Sequence, residues 1–269
     1  MDRWRFIDDC PATGAENMAK DEYLLELVER EGGAPILRLY SFHPSAITIG
    51  AHQDAARALD LEAVRADSLD VVRRVTGGRA LLHEDELTYS VAGPGGALHD
   101  GFLGTYLRIS EALAAALRAI GVDAEVARGA RASGRGARVA PCLASTTRHE
   151  LAARGRKIAG SAERMTRNGF LQHGSILLTK ASARIVRYTR GSGAAGCCDP
   201  IRITSVSDEL GAAPADGELR AAILDAFAES FQVAWTPFAL SSAEEREVRA
   251  RALLKKREFH DVSRREVAT

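Results

Sequence analysis

The sequence predicts an α+β fold in which helices flank a mixed, mostly antiparallel β-sheet, rather than a doubly wound parallel sheet. Three observations carry that expectation. Helical and β-like segments are interspersed without a strict strand-helix alternation. A β-rich block runs over 69–91 around the pair Gly77-Gly78. An Asn-Gly pair, Asn168-Gly169, separates two β-prone runs and is a strong hairpin signal.

Each element follows in order. Thr13 and Glu16 are spaced as a capping box, and Met18, Leu24, Leu25 and Val28 then recur at helical intervals, so a helix runs from there to Gly32-Gly33. Runs 36–40 and 46–50, separated by Phe42, His43 and Pro44, read as a strand-turn-strand unit. Asp54 can cap a helix carrying Leu59, Leu61 and Val64. Runs 69–75, 80–82 and 87–91 read as strands around a tight loop at 76–79. A helix over 104–120 has Leu107, Leu113, Leu117 and Ile120 on one face of an alanine-rich body, and Gly121 stops it.

A strand at 122–126 precedes RGARASGRGAR, a basic, glycine-rich stretch that reads as a loop. A meander then spans 157–165 and 170–178. Beyond it come a glycine loop with Cys197-Cys198, a helix over 218–231, a strand-like VAWTPFAL and a charged helix over 243–258 with Val248, Leu253 and Leu254 as its apolar stripe. The domain expectation is a catalytic unit at 1–238 and a helical appendage at 239–269.

Bulk properties narrow the class of function. Of 269 residues, 46% are hydrophobic and 27% charged, which is globular composition. Lys plus Arg and Asp plus Glu both number 36, so no net field would draw the protein to nucleic acid or acidic lipid. No apolar run approaches the roughly 18 residues of a membrane span, and the acidic start MDRWRFIDD is unlike a signal peptide. A cytoplasmic protein without nucleic-acid or membrane partners is expected. The four cysteines have no zinc-finger spacing, so no metal site is expected from them.

Gly77 and Gly78 let backbone come close to a ligand, and Arg73, Arg74 and Arg79 surround them with cationic donors suited to a carboxylate or phosphate. Alone, such a pair is as readily a plain β-turn with solvated arginines. Its surroundings are more specific. The string RRVTGGRALLHEDELTYSV resembles the signature of lipoate-protein ligases and octanoyltransferases of the biotin/lipoate protein-transferase superfamily. WRFIDDCPATGAENMAKDEYLL resembles that family's opening helix, HPSAITIGAHQ its second motif, and GRKIAGSAERMTRNGFLQHGSILL its lysine motif. The likeness runs from about Trp4 to Leu178, with a looser match at TSVSDELG.

The resemblance implies the site. Lys157 matches the essential lysine, whose ammonium would sit against an acyl carbonyl or acyl-adenylate, where negative charge develops. Arg73, Arg74, Thr76, Gly77, Gly78, Arg79, Ala80 and His83 would bind substrate from one side, and Gly160, Ser161, Ala162, His173 and Gly174 from the other. His83 and His173 adjoin apolar strand residues, so each reads equally as a pocket residue or as a satisfied core imidazole.

Two chemistries share this framework. A free carboxylate needs ATP and Mg²⁺ for adenylation, whereas an incoming thioester needs only a placed thiolate and no cofactor. Cys142 in APCLAST, 15 residues before Lys157, resembles the nucleophile of the cysteine-dependent octanoyltransferases, and a nearby ammonium would favour its thiolate. A small buried thiol is the alternative reading of Cys142. Cys197 and Cys198 match no motif, and Cys10 reads as a structural residue near the first helix cap. By resemblance the donor would be acyl carrier protein and the acceptor a lysine of a lipoyl domain or of glycine cleavage H protein. The rival readings are an ATP-dependent lipoate-protein ligase and a non-catalytic lipoyl-domain-binding module.

Overall fold

The computed structural model describes residues 2–98, 101–127, 150–190, 202–215 and 217–267, and within them every side chain except those of Phe102 and residues 258–267. Its elements are β1 (Asp2–Asp8), α1 (Gly14–Glu31), β2 (Ile36–Tyr40), β3 (Ala46–Ile49), α2 (Ala55–Ala58), α3 (Leu61–Ala66), β4 (Asp70–Arg73), β5 (Leu81–His83), β6 (Glu86–Pro94) and α4 (Gly101–Ala119). There follow β7 (Ala124–Val126), β8 (Leu151–Ala153), β9 (Arg156–Lys157), β10 (Ala159–Met165), β11 (Gly169–Leu177), a 3-10 segment (Ala181–Tyr188), α5 (Val206–Leu210), α6 (Glu218–Phe231), β12 (Val233–Pro237) and α7 (Ser242–Val267).

Six strands form the main sheet in the order β10-β11-β6-β2-β1-β12. The first four pair antiparallel, and β2, β1 and β12 pair parallel, so the sheet is mixed as expected. Two three-stranded sheets accompany it, β4-β3-β5 and β7-β8-β9. Strand alternation divides the burden of the main sheet between two faces. Leu37, Leu39, Tyr89 and Val91 pack with Leu113 and Leu117 of α4 and Phe227 of α6. Ile36, Ala92 and Leu171 lie opposite, under Leu24, Leu27 and Val28 of α1.

The local signals are realised at α1. The Thr13 hydroxyl accepts from the Glu16 amide at 3.3 Å, the Glu16 carboxylate accepts from the Thr13 amide at 3.1 Å, and Gly32 closes the helix at φ +58°. The Asn168-Gly169 hairpin joins β10 to β11 in antiparallel register.

Elsewhere the chain departs from the expectation. Strand β1 occupies the acidic start, where no strand is predicted; its pairing partner β12 is more than 200 residues away, beyond any local signal. The pair β2 and β3 is not a strand-turn-strand unit, because β3 joins the small sheet. Asp54 caps only α2; Leu59 is extended, and Asp60 caps α3 anew through the amides of Glu62 and Ala63. On α7 the buried stripe is Val248 and Ala252, whereas Leu253 and Leu254 are 61% and 64% exposed. The helix also runs past 258 to Val267, and it packs on α1. Among the described residues no helix is long and apolar enough to cross a membrane. The RGARASGRGAR stretch lies outside the described residues.

Candidate functional site

The α1 face of the main sheet carries two polar rungs where an apolar face would be the default. Register places Ala162, His173, Ser90 and Arg38 across β10, β11, β6 and β2, and Gly160, Ser175, Thr88 and Tyr40 in the next rung. Buried polar groups persist only when paired, and α1 supplies the partners. Asn17 and Asp21, one helical turn apart, both face the sheet. Arg38, 1% exposed, donates to Asp21 Oδ1 at 2.8 Å, to Asn17 Oδ1 at 2.7 Å and to Asp9 Oδ2 at 2.6 Å. Tyr40 and Ser90 also donate to the Asp21 carboxylate, at 2.7 and 2.9 Å. Burial alone would push the Asp21 carboxyl up, but the His173 hydrogen bond, the Arg38 charge and the Tyr40 hydroxyl hold it at about 2.

A cleft opens between these rungs and the small sheet β4-β3-β5. Of the residues singled out by sequence, Arg74, His83, Gly160, Ser161, Ala162, His173 and Gly174 line it. Sequence reasoning missed Met18, Tyr40, Leu81, Thr88 and Ser175, which complete the wall. Met18 was visible only as an apolar position of α1, and Thr88 and Ser175 only as alternate residues of strands. Small residues on β10 and β11 leave the space open, since Gly160, Ala162 and Gly174 present little or no side chain. A Cβ on Gly174 would lie 2.5 Å from the Gly160 carbonyl oxygen and 2.6 Å from Ser161 Oγ.

Both histidines line the cavity, and both spend their two ring nitrogens on partners. His83 bonds to Glu86 through Nδ1 and to Thr48 Oγ1 through Nε2 at 2.7 Å, and it stacks on Phe42 with ring centres 3.8 Å apart. Arg74 donates to the same Thr48 hydroxyl at 2.6 Å. His173 bonds to Asp21 Oδ2 at 2.8 Å and to Thr76 Oγ1 at 2.7 Å. Burial holds the His173 imidazole below its ordinary value, against the opposing pull of Asp21.

The glycine loop sits beside the cavity, and its arginines differ in use. Arg74 reaches the cavity wall and donates to the carbonyls of Gly77 and Arg79 at 3.1 and 3.0 Å. Arg73 donates instead to the carbonyls of Gly50, Ala51 and Gln53, so it braces the neighbouring turn. Arg73, Thr76, Gly77, Gly78, Arg79 and Ala80 are not among the lining residues. Gly50 is a second requirement of this packing, because a Cβ there would fall 2.1 Å from the Gly78 carbonyl oxygen. Gly50→Ala is expected to displace the loop, destabilise the protein by about 1–3 kcal/mol and impair turnover. Thermal melts alongside rate measurements check it; an unchanged melt and rate would show that the loop tolerates the shift.

Lys157 stands apart from the hairpin in which the sequence placed it. It ends the two-residue β9 of the small sheet β7-β8-β9, and its amide and carbonyl bond to Arg202 and Thr204. Its side chain is fully buried and its ammonium donates to Glu150 Oε1 at 2.6 Å. It is not among the residues lining the cavity. Cys142, Cys197 and Cys198 lie outside the described residues. Cys10 is exposed and free, so it has no packing role. Among the described residues no three His, Cys, Asp or Glu side chains converge to hold a metal ion.

Comparison with known proteins accords with this geometry. The model of the lipoyl protein ligase A/B catalytic domain matches residues 13–228. Octanoyltransferase LipM of Carboxydothermus hydrogenoformans is 39% identical over 194 residues, covering 71% of this chain and 70% of that protein. Octanoyltransferase LipM of Symbiobacterium thermophilum is 37% identical over 253 residues, covering 91% and 92%. Among solved structures, lipoate-protein ligase A bound with ATP superposes with a TM-score of 0.77 at 23% identity, covering 94% of each chain. A bi-partite lipoate protein ligase from Thermoplasma acidophilum does so with a TM-score of 0.73 at 22% identity, covering 94% of this chain and 92% of that one. The structural likenesses establish the fold, and the family match spans the cavity, the glycine loop and Lys157. The chain belongs to the lipoyl protein ligase A/B catalytic-domain family, within the biotin/lipoate transferase superfamily.

Proposed function

We propose that the protein is an octanoyltransferase that takes an octanoyl group from acyl carrier protein and passes it, through a thioester on Cys142, to a lysine of a lipoyl domain such as glycine cleavage H protein. It is an acyltransferase. The observation that carries it is the resemblance of relatives named octanoyltransferase LipM across nearly the whole chain, combined with a cysteine 15 residues before the buried Lys157.

Two displacements make up the reaction. The Cys142 thiol gives up its proton and attacks the carbonyl carbon of the donor thioester, the bond from that carbon to the carrier sulfur breaks, and the carrier leaves as a thiol after taking that proton. The acceptor lysine, as a neutral amine, then attacks the enzyme thioester; its carbon–sulfur bond breaks, the nitrogen loses a proton and Cys142 regains one. Each tetrahedral stage puts negative charge on the acyl oxygen, which an ammonium such as that of Lys157 would offset. The walls formed by Met18 and Leu81 suit the alkyl chain.

Intact-mass measurement after exposure to octanoyl carrier tests the proposal. An octanoyl adduct is expected on the unmodified protein and on Cys197→Ser and Cys198→Ser, and none on Cys142→Ser. Activity that requires ATP and Mg²⁺ and survives Cys142→Ala would replace this reading with the ligase. Binding of a lipoyl domain without turnover of either donor would replace it with the non-catalytic module.

A further inference from the structure

We infer that Asp21 of α1 is a positioning residue for acyl transfer, acting through His173 on Thr76 of the glycine loop. Three residues distant in sequence stand in one line. Asp21 Oδ2 lies 2.8 Å from His173 Nδ1, and His173 Nε2 lies 2.7 Å from Thr76 Oγ1. Carboxylate, imidazole and hydroxyl follow one another as in the triad of serine hydrolases. Burial decides what the line does here. Thr76 is fully buried and is not among the cavity-lining residues, whereas His173 is both buried and in the wall. The hydroxyl is therefore not offered to an acyl carbon as a nucleophile. What the line transmits is orientation.

The proton positions follow from the partners. Asp21 is ionised at neutral pH, since its carboxyl is held at about 2, and an ionised carboxylate only accepts. His173 Nδ1 must then carry the ring proton. Burial keeps the ring neutral, so Nε2 is left as an acceptor and the Thr76 hydroxyl donates to it. Asp21 cannot turn away from this task, because Arg38, Tyr40 and Ser90 donate to the same carboxylate.

At the other end of the line, Thr76 is the first residue of TGGRA. The Thr76 carbonyl accepts from the Ala51 amide at 2.9 Å, and the following residues lie against Gly50 and accept from Arg74, which reaches the cavity. One tautomer, set by a carboxylate on α1, thus fixes one hydroxyl rotor, and through it the register of the loop beside the acyl cavity. Misplacement of a reacting group by about 1 Å can cost about 10²-fold in rate.

The rate readout rests on the transferase reading; the tautomer readout does not. Thr76→Val removes the hydroxyl at nearly constant volume, and Thr76→Ser restores it. With octanoyl carrier as donor, Thr76→Val is expected to lower kcat about 10²-fold with KM changed by less than about twofold, and Thr76→Ser to recover most of the rate. Thr76→Val combined with His173→Asn should be no slower than the slower single variant, since the line is already cut. Nitrogen NMR of the folded unmodified protein at neutral pH should find His173 protonated on Nδ1 and bare on Nε2.

A ring protonated on Nε2, losses that multiply in the double variant, or a raised KM at constant kcat would each overturn the inference. Should the unmodified protein not turn over octanoyl carrier, the transferase reading fails while the tautomer measurement still decides the line. If Thr76→Val does not fold, Thr76→Ser and the NMR measurement decide alone.

Discussion

Lys157→Met is expected to lower acyl transfer by about 10³-fold, at the upper end of what removing one oxyanion partner costs, the role proposed for it above. The ammonium is fully buried and bonded to Glu150 at 2.6 Å, so within the pair each charge offsets the other. Removing one member leaves the Glu150 carboxylate without that cation in a site only 7% exposed. The same substitution is therefore expected to cost about 3–5 kcal/mol of stability. Activity and stability can be separated. In Lys157→Met with Glu150→Gln the carboxylate charge is removed together with the ammonium, so part of the melting temperature should recover while transfer stays lost. Lys157→Arg keeps the charge but replaces a compact ammonium by a planar fork, and it should not restore transfer either. Recovery of transfer in the neutral double variant would show that the pair serves the fold and not the reaction.

How much of this could be read from the chain depends on the range of the interaction that fixes each residue. The α1 helix was legible because the capping bonds of Thr13 and Glu16 and the Gly32 stop are local. The β10-β11 hairpin was legible because Asn168-Gly169 sets its turn. Strand β1 was not, since it is stabilised by β12 and β2 rather than by its own alternation. The run 36–40 reads from sequence only as a strand, yet Arg38 in its middle is the cation around which the α1 face is organised. Its partners Asp9, Asn17 and Asp21 come from three other turns of chain, and only the i, i+4 spacing of Asn17 and Asp21 hinted at a polar stripe on a buried helix face. The family motifs placed the glycine loop and the hairpin residues that form the cavity. They did not reveal that Lys157 is on a separate small sheet, or that Arg73 and Arg74 serve different neighbours.

Arg38→Met is expected to be the most destabilising single change on the α1 face, by about 3–5 kcal/mol near pH 7, because it leaves Asp21 buried without its guanidinium. The loss should depend on pH in a defined direction. In the folded protein the Asp21 carboxyl is held at about 2, below its ordinary 3.8, so it stabilises the fold above about pH 4 and that stabilisation disappears as pH falls toward 2. The difference corresponds to about 2–3 kcal/mol at pH 7. His173 acts in the same sense, since burial lowers it from 6.5; the unfolded chain takes up that proton first, and stability begins to fall as pH drops through about 6.5. Without Arg38 the Asp21 carboxyl moves up, so on acidification the folded variant takes up that proton and is relieved of the buried charge first, whereas the unmodified protein loses its Asp21 stabilisation only in strong acid. The stability gap between the two should therefore be widest near neutrality and narrow below about pH 4. Urea melts from pH 3 to pH 8 measure it. A gap independent of pH would mean that Arg38 contributes through its packing on Tyr40, where its guanidinium lies 3.8 Å from the ring centre, and not through the charge of Asp21.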